Sequence, residues 1–317
     1  MRYSKNKIIP LIGQLLMLTS FVFIAMKLIQ YNIDFSILAS PFVTAGLLLA
    51  IFVFGVNIFL AAFNFRWLIG VLSGVSVECE LVVTVYCSSN MYKYLPGNVM
   101  HFIGRNRLAI ETEELNHSQV ALATVIDTLF LCFAAVIISA FCVFDYFMSY
   151  MRNINVSPLV LTVIYAITVI CILLAIVFRS SLETWLTKYI AIIKNFKPTA
   201  MVRLLGVNAL RLMVLAATYF ATLMLLGQQV TSDMAPQIIG LFVLSWVIGF
   251  IIPGAPGGLG VREVIILMFM GDILDESILL SSTIIHRVVC ILGDFSAYVL
   301  ALMYSKRKHS PCLKRFP

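Results

Sequence analysis

Charge is what this sequence has least of. Of 317 residues, 22 are Lys or Arg and 15 are Asp or Glu, or 12% of the chain, against about 25% in an ordinary soluble domain. A water-soluble globule of this length needs far more polar side chains to cover its outside. Soluble enzymes, nucleic-acid binders and disordered chains are thereby excluded. Catalytic signatures are missing as well: there is no P-loop, no GxSxG and no HExxH, the patterns that cradle phosphate, present a nucleophile or hold zinc. The seven cysteines (79, 87, 132, 142, 171, 290, 312) contain no CxxC and fall mostly in apolar runs, so they read as small buried hydrophobes. The four histidines show no ligand spacing. Neither a metal nor a cofactor is expected.

What is present is apolar. Hydrophobic residues make up 61% of the chain, and the mean hydropathy is +1.01. A spanning helix needs about 20 mostly apolar residues. Residues 8–29, 35–63, 119–144, 158–178 and 203–226 qualify, and 277–303 qualifies despite His286, Arg287 and Asp294. The first run follows a basic start (Arg2, Lys5, Lys7) like that of a signal peptide. It is too long for one and lacks a small-residue cleavage pattern, so it reads as a helix. Two further regions, 77–105 and 236–271, are apolar but broken, the first at Pro96-Gly97 and the second within PGAPGGLG at 253–260. Such stretches end helices, and irregular backbone at membrane depth persists only where it is buried in protein or lines a wet cavity.

Orientation follows the loop Lys and Arg residues. Arg2, Lys5 and Lys7, then Arg66 after the second span, Arg179, Lys188, Lys194 and Lys197, and the tail from Lys306 to Arg315 fall on one side by alternation. The other side carries Arg152 and several acids. Both termini are therefore expected in the cytoplasm, in a cell (inner) membrane. Net charge +7 reflects topology, and no nucleic-acid partner is expected. Residues 182–196, with Trp185, Lys188, Tyr189 and Lys194, read as an interfacial helix. With six full crossings, each broken region enters and leaves on one face as a re-entrant hairpin. Full crossing by both, giving eight spans, closes the parity equally well. The expected fold is an all-α polytopic membrane protein, a single domain over 1–317. Its halves, 1–144 and 158–305, form an inverted-topology repeat. The broken regions align as PGNVMHFIGR (96–105) and PGAPGGLGVR (253–262), with Pro, Gly and Arg at matching places.

The informative polar residues are those in apolar segments: Glu78, Glu80, Lys93, Arg105, Asp127, Arg211, Arg262, Glu263, His286, Arg287 and Asp294. A charge at mid-bilayer costs about 2.5–3.5 kcal/mol on insertion scales, so these groups face inward, pair, or line a cavity. Arg105 and Arg262 each follow a Gly-rich turn, where free backbone N–H groups and a helix N-terminus favour an anion, and the guanidinium fork suits phosphate. Two arginines so placed offer phosphate a site in each leaflet or in one shared cavity; the plainer reading ties each to a local carboxylate such as Glu263. His286, Cys290 and Asp294 share one helix face at i, i+4 and i+8. They suit either an ion-pair cluster with Arg287 reaching Asp127 or Glu263, or a proton relay. Asp127 and Arg211 are either mutual partners across the halves or cavity-lining groups.

Two segments, KYLPGNV…GR at 93–105 and PGGLGVRE at 256–263, resemble the most distinctive motifs of the lysylphosphatidylglycerol synthase transmembrane (flippase-like) family, and the resemblance extends over nearly the whole chain. On the matching positions it implies substrate or phosphate binding by Lys93, Pro96, Gly97, Gly104 and Arg105, and by Pro256, Gly257, Gly258, Gly260, Arg262 and Glu263. The cytosolic aminoacyltransferase domain found in some relatives has no counterpart, and only 14 residues follow Met303. Aminoacyl transfer is therefore not carried over and no enzymatic activity is expected. What the resemblance implies is translocation of a lipid or lipid-linked saccharide in a prokaryotic envelope. The expected function is a flippase for a phosphate-bearing lipid, with membrane lipids and envelope-biosynthesis proteins as partners. The alternatives are a membrane enzyme that modifies a lipid carrier, using Glu263, His286 or Asp127, and a non-catalytic partner of envelope synthases.

Overall fold

A computed structural model describes residues 36–94, 100–111, 115–153, 197–231, 234–251, 260–271 and 274–308. The expected spans at 8–29 and 158–178, the interfacial helix at 182–196, and the tips containing Pro96, Gly97, Pro256, Gly257 and Gly258 lie outside these residues. The described residues are helical, with no strand among them. After a 3-10 turn, α1 spans Pro41–Ser73 and α2 spans Cys79–Met91, which runs into a 3-10 turn at Tyr92–Tyr94. The short helices α3 (Met100–Arg105) and α4 (Leu108–Glu111) precede α5 (His117–Asn153). Then come α6 (Pro198–Leu225), α7 (Ala235–Ile251), α8 (Val261–Met270) and α9 (Glu276–Lys308).

Four of these, α1, α5, α6 and α9, are long and apolar enough to cross a membrane. Their surfaces agree. Phe42, Leu48, Leu49 and Phe52 on α1, and Phe133 and Phe141 on α5, are exposed, whereas Asn64, Asp127, Asn208, Glu263 and Asp294 are buried. Apolar residues outside and polar residues inside suit a surface facing hydrocarbon, since a soluble protein rarely leaves so large an apolar area uncovered. The chain is a membrane-embedded helical protein.

Helix ends depart from expectation where a charged residue suggests a loop. The span expected at 35–63 runs from Pro41 to Ser73. Proline at the first position suits a helix start, and nothing interrupts the helix until Gly74, whose left-handed φ of 71° closes it with a 3.0 Å bond to the Gly70 carbonyl. Arg66, expected beyond the helix, sits inside it and donates from Nε to the Val77 carbonyl at 2.8 Å. Arg152, also placed in a loop, belongs to the end of α5. Arginine is a good helix former, so a basic residue marks membrane depth better than it marks a helix end. Both broken regions are pairs of helices: α2 packs on α3, and α7 packs on α8.

The chain divides into two compact units, Met1–Val143 with Leu205–Pro317, and Phe144–Leu204. The described part of the second consists of the end of α5 and the start of α6, where Ala200 and Leu204 are buried. All that follows concerns the first unit. There α9 packs along both α1 and α2. Gly55 and Gly293 let α1 and α9 approach closely: a Cβ at Gly293 would lie 2.7 Å from Phe54 Cδ1 and 3.1 Å from the Ile51 carbonyl oxygen. Small residues at such crossings are how membrane helices gain dispersion contact where no hydrophobic driving force separates them from lipid.

Candidate functional site

Of the four buried carboxylates among the described residues, Glu80 sits in the first turn of α2, and the other three each lie at a junction of helices. Asp294, on α9, accepts from Asn90 Nδ2 at 2.7 Å, from the Tyr94 hydroxyl and from the Lys93 ammonium at 2.5 Å. Asn90, Lys93 and Tyr94 stand at i, i+3 and i+4, one face of a helical turn, so the end of α2 is strapped to α9. Asp127, on α5, lies 3.3 Å from Asn64 Nδ2 of α1 and 3.4 Å from Asn208 Nδ2 of α6. Arg211 stands 3.7 Å from the same carboxylate and donates to Asn208 Oδ1 at 2.7 Å. Asp127 and Arg211 are thus mutual partners, and both line the cavity described below.

Glu263 is the third. It is 1% exposed and accepts two bonds from Arg287 of α9, one from Nε and one from Nη2 at 3.0 Å. Its Oε2 also accepts the Gly260 backbone N–H at 2.8 Å. Gly260 precedes α8 with φ of 82°, a conformation open to glycine at little cost. Of the two readings open for Glu263, the ion pair with Arg287 of the facing helix, 24 residues on, is the one observed, and the local pairing with Arg262 is not. The N–H group expected to hold an anion beside Arg262 is occupied by Glu263. Arg105 also departs from expectation, because it ends α3 and does not begin a helix. The break at 95–99 is followed by six helical residues, which carry Arg105 to the C-terminal end.

These pairings leave Arg105 and Arg262. Among the described residues neither has a carboxylate within salt-bridge distance, and the buried Nε of each has no hydrogen-bond acceptor. Arg105 is 5% exposed. Its guanidinium lies over the Tyr86 ring at 4.2 Å and the Phe65 ring at 5.3 Å, and that of Arg262 lies over Trp246 at 5.6 Å. Aromatic faces stabilise a cation by about 0.5–2 kcal/mol yet leave the guanidinium N–H edge free for an acceptor.

Both arginines border one cavity of about 200 Å³. At about 30 Å³ per water it has the volume of six or seven waters, enough for a phosphate group. Lys93, Arg211 and Arg287 supply three further cations to the lining, with His101, Asn57 and Asn90 among the other polar groups. Trp246 and Phe250, stacked at 5.3 Å, form an aromatic wall, and Phe250 meets the rings of His101 and Phe102. His286 also borders the cavity. Its Nε2 is 3.0 Å from Thr218 Oγ1, and Cys290 Sγ is 3.8 Å away, whereas Asp294 is engaged with Asn90, Lys93 and Tyr94. The i, i+4, i+8 face therefore serves two separate clusters.

The structure brings Lys93, Arg105, Asp127, Arg211, Arg262, His286 and Arg287 to one cavity and sets Glu263 and Asp294 one bond behind it. Gly104 has a packing role: a Cβ there would lie 2.8 Å from Ser89 Cβ and 2.7 Å from the Tyr92 ring. Sequence reasoning missed Asn57, Asn64, Tyr86, Asn90, Tyr94, Asn208 and Trp246. Helical spacing around the charged residues carries the signal for Asn90, Tyr94 and Asn208. The aromatic positions have no comparable signal. No protein-family model matches the chain, and no curated protein matches it.

Proposed function

We propose that the protein moves a phosphate-bearing lipid between the leaflets of a cell membrane. The headgroup occupies the cavity while the acyl chains stay in the bilayer. The candidate cargoes are a phospholipid, an aminoacylated phospholipid and a lipid-linked saccharide. The observation that carries this reading is the pair Arg105 and Arg262, both without a carboxylate partner among the described residues, on a single cavity inside a membrane-embedded fold. An uncompensated cation in a low-dielectric interior is costly, and a phosphate oxygen held by a guanidinium fork offsets that cost. The acids on which group-transfer chemistry would draw are already engaged, Glu263 with Arg287 and Asp127 with Arg211, which favours carriage over catalysis.

The order of elements supports a transporter. A long span, a broken pair and a long span occur twice, as α1, α2–α3 and α5 and again as α6, α7–α8 and α9. In our reading the broken pairs are re-entrant hairpins of an inverted repeat with both termini in the cytoplasm, and one half rocks against the other around the site. The resemblance of 93–105 and 256–263 to flippase-like proteins points the same way. In vesicles reconstituted with the purified protein, Arg262→Ala should slow headgroup translocation at least tenfold, as loss of a charge-assisted bond worth about 1.5–3 kcal/mol requires. A folded variant that flips lipid at the wild-type rate would sink the proposal.

A further inference from the structure

We infer that the headgroup is dianionic: the cavity selects a phosphomonoester or a sugar-capped diphosphate over a phosphodiester. This rests on the reading of the cavity as a headgroup site and concerns its charge. Five cations border the cavity, Lys93, Arg105, Arg211, Arg262 and Arg287. Three carboxylates answer three of them: Asp294 pairs with Lys93, Asp127 with Arg211, and Glu263 with Arg287. Among the described residues that line the cavity, two positive charges remain.

A ligand that neutralises the site brings two negative charges. A phosphate monoester carries about −1.5 to −2 near pH 7, its second ionisation lying near pH 6. A diphosphate esterified at both ends has one charge per phosphate and also brings two. A phosphodiester has no second ionisation and brings one, which leaves a guanidinium uncompensated in the interior. A phosphodiester headgroup with an added lysyl group is cationic and meets repulsion from both arginines. Arg105 ends α3 and Arg262 opens α8, so each broken region supplies one of the two remaining charges.

The test uses the full chain in lipid nanodiscs at fixed ionic strength, with binding read from the fluorescence of Trp246 in the cavity wall. The probes are dioleoyl phosphatidic acid and dioleoyl phosphatidylmethanol, which share acyl chains and differ in whether the phosphate is a monoester or a methyl diester. Inorganic phosphate serves as a soluble competitor. The monoester should bind at least tenfold more tightly than the diester. The ratio should fall to near one in R105Q/R262Q and persist in R105K/R262K, which keeps the charge. Equal affinities for the two lipids, both lost in R105Q/R262Q, would overturn the dianion inference and leave the headgroup site standing. Binding that ignores both arginines would overturn the headgroup reading itself. Loss of the ratio in a folded R105K/R262K protein would overturn charge as its cause. Competition by inorganic phosphate as strong as that of the monoester lipid would assign the site to a soluble anion and overturn the lipid reading.

Discussion

Glu263 offers the sharpest test of how the interior is held together. Its carboxylate performs two tasks, pairing Arg287 through two bonds and capping the start of α8 through the Gly260 N–H. Glu263→Ala removes both. Breaking a buried ion pair from one side costs about 3–5 kcal/mol because a charge is left without compensation. Arg287 keeps 16% of its side chain exposed, so the lower end applies. Loss of a cap adds about 1 kcal/mol. The expected total is about 4 kcal/mol, a large share of the roughly 5–15 kcal/mol that holds a folded domain together, and a factor of nearly a thousand in the unfolding equilibrium. Replacing both partners with leucine, E263L/R287L, removes the stranded charge and should leave a deficit of about 1 kcal/mol from the cap alone. The assay is denaturant unfolding in bicelles followed by tryptophan emission. A double variant as unstable as Glu263→Ala, or a single variant within 1 kcal/mol of wild type, would refute the reasoning.

Asp127→Leu strands the Arg211 cation and leaves the Asn64 and Asn208 amides without their shared acceptor, and should destabilise by about 3 kcal/mol. D127L/R211L should recover at least half of that in the same unfolding assay. Gly104→Val places methyl groups where Ser89 and Tyr92 already sit. Overpacking of this kind costs about 1–3 kcal/mol and displaces the neighbouring Arg105, so lipid binding should weaken at least tenfold with the ion pairs of Asp294 and Glu263 unchanged. Gly293→Leu forces α9 off α1 at Phe54 and Ile51, and loss of the monodisperse folded peak in detergent chromatography is the expected result.

The membrane class and the long helices were legible in the sequence because a run of some 20 apolar residues has few alternatives in physics. The ends were less so. Arg66 and Arg152 look like loop residues by charge but are good helix formers, and the long Arg66 side chain reaches the Val77 carbonyl without ending the helix. Lipid penalises each of the intramembrane charges, and six of them border the cavity together with His286. Pairings were harder. Arg262 and Glu263 are sequence neighbours, yet consecutive helical residues point about 100° apart, so Glu263 turns to Arg287 and Arg262 to the cavity. Asn64, Asn90 and Asn208 were less conspicuous because a neutral amide in an apolar run is penalised less than a charge. Helical spacing ties Asn90 to Lys93 and Asn208 to Arg211, but the acids they and Asn64 meet lie 204, 81 and 63 residues away, which no local pattern encodes.

The central claim is that Arg105 and Arg262 hold a lipid phosphate. Mass spectrometry of the lipids that co-purify with the wild-type chain and with R105Q/R262Q tests it most directly. A phosphate-bearing lipid enriched well above its bulk abundance on the wild type, and reduced to bulk level on the variant, is the predicted result. Indistinguishable lipid profiles on the two folded proteins, each mirroring the bulk membrane, would contradict it.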